Sequence, residues 1–230
     1  MERRKIESLK TISMNIKKYI MLFISCLPFA NSIYSQTCYD NFEGKKSLFY
    51  KEKSGVLDTL VKNPSPNDVD SSKSCAMYVR NGSKLFDNIK MSLSGKLYNV
   101  DSYATYQGIP KQITMKIYTT APVGTLIEIL LGSKARNNEY PAGTNSQYQA
   151  YTTVRNAWEE VQFKFSQVPQ GSETSFTEID QVTLLFNPNT LTSDTYYFDD
   201  ITGPPLNVNQ LESESPQKDL PKAPPMKSPK

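Results

Sequence analysis

The feature that most limits this chain is a hydrophobic period of two. "KQITMKIYTT" sets Ile113, Met115 and Ile117 against polar neighbours, and "VQFKF" does the same with Val161, Phe163 and Phe165. "QVTLLF" puts Val182, Leu184 and Phe186 on one face. Side chains alternate between the two faces of a strand, so such runs predict half-buried strands of antiparallel sheets. "TLIEILLGS" is more continuously apolar and reads as a central strand. "SQYQAYTTV" and "TYYFDDI" are aromatic and β-branched strands. Turn signals separate them: "NPSPND", "RNGSK", "APVG", "YPAGTNS", "VPQGSE" and "FNPNT". Pro and Gly recur too often for long helices, and at most a helical turn fits near Lys84–Asn88 or Glu173–Ile179. The pattern predicts an all-β chain of about eight to ten short strands, folded as a two-sheet antiparallel β-sandwich of the jelly-roll type.

Both ends lack this pattern. A basic stretch, "MNIKK", precedes an apolar run, "YIMLFISCLPFA", and then "NSIYSQ". That order predicts a secretory signal peptide over residues 1–35, with residues 1–13 as an upstream extension and Gln36 as the new N-terminus. The apolar run is shorter than the roughly 20 residues of a membrane span. A retained anchor and a lipoprotein built on Cys26 are the alternatives. At the other end, residues 206–230 are rich in Pro, Lys, Ser and Glu and carry no aromatic, the composition of a disordered tail. Residues 36–205 then form one domain large enough for a real core, expected as a monomer that is secreted, periplasmic or at the cell surface.

Export also explains the charge. The chain is formally +3, but residues 1–35 hold six Lys/Arg and two Glu. The remainder is close to neutral, which argues against nucleic-acid binding. Cys38 and Cys75 remain after cleavage. Paired, they would close a loop of roughly forty residues and contribute about 4 kcal/mol. Two separate buried thiols are the alternative.

No His occurs anywhere in the sequence. Ser-His-Asp and Cys-His catalysis and His-ligated zinc are therefore excluded. Carboxylate pairs, Tyr or Lys bases and oxygen-ligated metals are left. Glu159-Glu160 and Asp199-Asp200 are each adjacent in a strand. Neighbours point to opposite faces, so neither pair is placed to act together on one glycosidic bond. Oxygen ligation of Ca²⁺ by an Asp of "FDDI" with a partner such as Glu43 competes with simple solvation or turn capping.

Three segments occur in a telling order: "DNFEG", "NAWEEVQFKF" and "IDQVTLLFNP" leading to "YYFDDITGP". Together they resemble the carbohydrate-binding modules of the galactose-binding-like jelly-roll superfamily, over most of residues 38–204. The resemblance implies a structural calcium where first and last strands meet. Glu43 and Asp199 match the acidic positions, with Asp200 beside them. It also implies glycan binding on aromatic platforms, with amide, Arg and acid side chains on the sugar hydroxyls. Trp158 matches a structural strand-start Trp, so Tyr has to serve as the platform. The candidate ligand-binding residues are Tyr140 and Tyr148, with Arg136, Asn137, Gln149 and Arg155 as hydrogen-bonding partners. Tyr103 and Tyr106 form a second cluster.

The expected function is thus non-catalytic binding of a polysaccharide or oligosaccharide. A small polysaccharide lyase or glycoside hydrolase on the same scaffold competes with it, as does an adhesion domain that binds protein.

Overall fold

The computed structural model describes residues 36–98, 100, 113–136, 140–175 and 177–207. The segment read as a signal peptide and most of the tail lie outside these residues, as do Tyr103, Tyr106 and Asn137.

The described residues form thirteen strands: β1 (Thr37–Asp40), β2 (Leu48–Lys53), β3 (Val56–Lys62), β4 (Ser74–Val79), β5 (Ile89–Leu97), β6 (Ile113–Thr119), β7 (Leu126–Gly132), β8 (Gly143–Tyr151), β9 (Trp158–Gln167), β10 (Ser172–Glu173), β11 (Ile179–Phe186), β12 (Thr195–Gly203) and β13 (Leu206–Asn207). Their number exceeds the expectation because β10 and β13 are two-residue strands and β1 to β4 carry little apolar alternation. In β3, for example, every second residue is exposed and the rest only half-buried.

One sheet runs β3-β4-β12-β6-β9, with β1 beside β4 along the same side of β12. The other runs β5-β11-β7-β8-β9, with β2 and β13 on the outer edge of β5. Strand β9 belongs to both: its first half pairs with β6 and its second half with β8. Apart from the short β10–β8 contact, the strand pairings among the described residues are antiparallel. The two-sheet antiparallel sandwich read from the period of two is the fold of the chain.

The alternating residues do what their spacing implies. Ile113, Met115, Ile117, Val161, Phe163, Val182, Leu184 and Phe186 are all buried in one core between the sheets. Phe186 of one sheet stacks on Tyr196 of the other, with ring centroids 4.4 Å apart, and meets Phe198 at 5.7 Å. Trp158 is buried, and its indole N–H donates to Asn63 Oδ1 at 2.9 Å. That fits a structural tryptophan.

Three expectations need correction. First, Cys38 and Cys75 are free thiols. They lie on β1 and β4, two strands that follow one another along the same side of β12, at Thr202 and next to the residue opposite Phe198. That places them along β12 rather than across from each other. Second, the fold does not stop at Pro205. Leu206 and Asn207 pair with Leu97 and Lys96, and Leu206 packs on the core. Third, Asp199 and Asp200 do not simply alternate. A β-bulge interrupts the β12–β6 register between Asp199 and Thr202, and Asp200 takes a φ of 47°. The extra residue re-aims both side chains.

Candidate functional site

The outer face of the β5-β11-β7-β8 sheet carries a groove of about 600 Å³. Its position follows from strand parity. On β7, Ile127, Ile129 and Leu131 face the core, so Leu126, Glu128 and Leu130 face outward. On β11, Val182, Leu184 and Phe186 face inward, leaving Gln181, Thr183 and Leu185 for the groove. The continuous apolarity of "TLIEILLGS" thus has two causes. One face fills the sandwich core and the other supplies Leu126 and Leu130 to the groove floor.

Glu128 stands in the middle of that floor, where Leu185 of β11 and Gln149 of β8 flank it in register. Two amides converge on its Oε2: Gln147 Nε2, and Gln149 Nε2 at 2.8 Å. No described protein donor reaches its Oε1. Gln167 donates in turn to Gln147 Oε1 at 2.7 Å, which fixes the direction of that amide. The result is a row of preset donors and acceptors beside an aliphatic floor, the pattern of a ligand site.

An exposed aromatic marks each end of the groove. Tyr140 is 57 % exposed and lies at the Gly132–Gln181 end. Its loop is tied down: Ser172 Oγ donates to Pro141 O, and Asn145 Nδ2 donates to Ala142 O at 3.1 Å. Phe86 is 61 % exposed and lies at the Leu126–Leu185 end. The loop before β5 that carries it hangs on the buried Arg80. That guanidinium donates to the carbonyls of Lys84, Leu85, Phe186 and Thr192 at 2.7–3.0 Å.

The expected ligand-binding residues divide around this geometry. Tyr140 lines the groove, and Gln149 reaches it through Glu128. Tyr148 does not line the groove. It pairs with Ile129, packs edge-on against Phe165 at 5.6 Å and is fully buried. Parity decides this: Gln147 and Gln149 face out, so Tyr148 faces in. Arg136, on the 3-10 turn Lys134–Arg136, is engaged with Glu173 at 3.8 Å. Arg155 is remote from the groove, bonded to Thr120 O at 2.7 Å in the β8–β9 connection. Glu128, Gln147, Phe86 and the leucine floor were missed from sequence. The signal for them was an isolated carboxylate inside an otherwise apolar strand.

The acidic residues meet elsewhere, where β12 approaches β4 and β6. Glu43 accepts from the backbone N–H of Lys73 at 2.5 Å and Ser74 at 3.3 Å. Asp199 is fully buried and meets Ser72 Oγ at 2.5 Å, and Asp200 pairs with Lys116 at 2.6 Å. The three do not form one ligand set. Asp199 instead converges with the buried Asp70, whose Oδ1 accepts from the same Ser72 hydroxyl at 2.8 Å. Among the described residues no three His, Cys, Asp or Glu side chains gather for a metal. Asp70, Ser72 and Asp199 are all oxygen donors, which suits a hard cation, although coordination would need further oxygens.

Burial pushes the Asp199 carboxyl up to about 7, with the charges of Asp200 and Asp70 adding to it against the bonds from Ser72 and Asp200 N–H. Burial pulls the Lys116 ammonium down, but the hydrogen bond and charge of Asp200, with Asp70 and Asp199 behind, outweigh it and the net shift is upward. Cys75 is pushed up to about 12, by burial first and then by the Asp199 and Asp70 charges. It is correspondingly unreactive at neutral pH.

No family model matches the chain, and no curated protein does. Its fold is similar to that of a family 11 carbohydrate-binding module of the cellulosomal cellulase Lic26A-Cel5E of Clostridium thermocellum. The two are 13 % identical, over 73 % of this chain and 93 % of that one, with a TM-score of 0.43. A family 30 carbohydrate-binding module is 14 % identical over 77 % of this chain and 92 % of that one, at a TM-score of 0.40. An exo-β-agarase is 7 % identical over 75 % of this chain but only 25 % of its own, at 0.45. TM-scores this low give the likeness no functional weight.

Among the described residues no helix is long and apolar enough to cross a membrane.

Proposed function

We propose that this chain binds carbohydrate without cleaving it, as an exported β-sandwich. The observation that carries the reading is the outward face of β7 and β8. There Leu126 and Leu130 lie beside Glu128, whose carboxylate is aimed by Gln147 and Gln149. Apolar faces of sugar rings would rest on the leucines and Tyr140, and ring hydroxyls would bond the amides and Glu128 Oε1. Glu128 is the only carboxylate among the described residues that line the groove. Retaining and inverting glycosidases use two, on either side of the scissile bond.

The test is a glycan array with the full chain, followed by incubation of any hit polysaccharide. Retention without new reducing ends or unsaturated products supports the reading. Cleavage would move the chain to the lyase or hydrolase class, and no retention on any glycan would remove carbohydrate binding. A calcium ion belongs to the proposal at Asp70, Ser72 and Asp199, away from the groove. Its support is two buried carboxylates set on one hydroxyl.

A further inference from the structure

The charges around the groove restrict which glycans fit. Two charged side chains line it among the described residues, Lys90 and Glu128. Lys90 of β5 is already matched: its Nζ lies 3.2 Å from Glu52 Oε2, directly across the β2–β5 register. At the other end, Arg136 is matched by Glu173. Among the described residues Glu128 is matched by no cation; its partners are the neutral amides of Gln147 and Gln149. An anionic ring seated on the leucine floor would therefore place its charge beside an uncompensated carboxylate. It would find its nearest described cation held by Glu52. Like charges in a partly desolvated groove repel far more than in water, and such repulsion separates ligands of equal shape.

From this we infer that the groove takes uncharged glycans and rejects uronate- or sulfate-bearing ones, with Glu128 and Glu52 as the residues that set the choice. The inference rests on the groove being the carbohydrate site. Glu52 does not line the groove. It acts by holding Lys90, and its exposed position on β2 leaves it free to change without disturbing the core.

Affinity electrophoresis of the full chain tests this. Gels would contain a neutral polymer (mixed-linkage β-glucan, xylan or galactomannan) or an anionic one (polygalacturonate, alginate or carrageenan). At least one neutral polymer should retard the protein, and the anionic gels should leave its mobility as in a blank gel. Glu52→Gln alone, and with Glu128→Gln, should gain retardation in an anionic gel by tenfold or more in apparent affinity at low salt. The effect should shrink as salt rises. Retardation of the unaltered chain by an anionic polymer as strong as by a neutral one overturns the inference while leaving carbohydrate binding intact. Exclusion that neither variant relieves overturns the assignment to these two residues. Absence of retardation in every gel overturns the carbohydrate reading itself.

Discussion

Asp70 and Asp199 close on the same hydroxyl: Ser72 Oγ lies 2.8 Å from the first and 2.5 Å from the second. A hydroxyl has a single proton to donate. One of the two contacts therefore needs a proton from the carboxyl side, or a cation. Burial supplies the first answer by pushing Asp199 up to about 7. The native state then holds this proton more tightly than the unfolded chain, where an Asp titrates near its ordinary value of 3.8. The sign follows. Between about pH 4 and 7 the native state binds more protons than the unfolded one, so this group's contribution falls as pH rises and levels off above about 7. Denaturant midpoints in chelator-containing buffer should show the decline, with a slope no steeper than about 1.4 kcal/mol per pH unit for one proton. Asp199→Asn should remove that component. A variant whose midpoint tracks the parent across the whole range would show that Asp199 is ionised throughout.

A bound cation gives the opposite signature at the same place. Calcium at Asp70, Ser72 and Asp199 would keep Asp199 ionised, and its removal would lower the melting temperature by mass action. Melting with and without chelator, then after calcium is restored, reads this directly. The proposal expects a chelator-dependent drop that calcium restores and magnesium does not, since Mg²⁺ demands a tighter octahedral shell. A curve unmoved by chelator leaves Lys116, 2.6 Å from Asp200 and 3.7 Å from Asp70, as the cation of the cluster.

Tyr140 offers the cleanest separation of binding from stability. More than half of it is exposed on a loop held by Ser172 and Asn145. Tyr140→Ala should change stability by no more than about 0.5 kcal/mol. If Tyr140 is a stacking platform, the same change should weaken glycan binding by about 1 kcal/mol or more, roughly fivefold. Isothermal titration against a retained oligosaccharide, beside a thermal melt, measures both.

The strands that alternate cleanly were legible in the sequence because a period of two has one physical cause, a sheet with one dry face. Ile113–Ile117, Val161–Phe165 and Val182–Phe186 all point where the spacing puts them, except that Phe165 is only half-buried. β2 and β3 were not legible: Val56 and Leu60 stand exposed on an edge, so the apolar pattern there reports no core. Part of the site was hidden for a related reason. Parity within "SQYQAYTTV" shows that Tyr148 and Gln147 face opposite ways, but not which face is the core. That depends on the partner strands: Tyr148 meets Ile129, and Gln147 meets Leu130, which lines the groove. Arg80 was invisible as well, because its role is to satisfy carbonyls of two loops that come together only in the folded chain.

The inward Tyr148 can be tested without touching the groove. Its hydroxyl is buried without a well-formed hydrogen bond; burial pushes its pKa up to about 12, against the opposing pull of the neighbouring Ser146 hydroxyl. A buried hydroxyl left unpaired costs about 1–3 kcal/mol of desolvation. Tyr148→Phe deletes the hydroxyl and keeps the ring that meets Phe165 edge-on. The substitution should therefore be neutral or stabilising by about 1 kcal/mol, where most core changes destabilise. Tyr148→Ala, which also removes the ring, should cost about 3–5 kcal/mol by analogy with other buried aromatics. Glycan affinity of the folded Phe variant should match the parent, since Gln147 and Gln149 on the opposite face are untouched. A Phe variant that folds as well as the parent but loses binding would put Tyr148 back in the site and overturn the assignment of faces on β8.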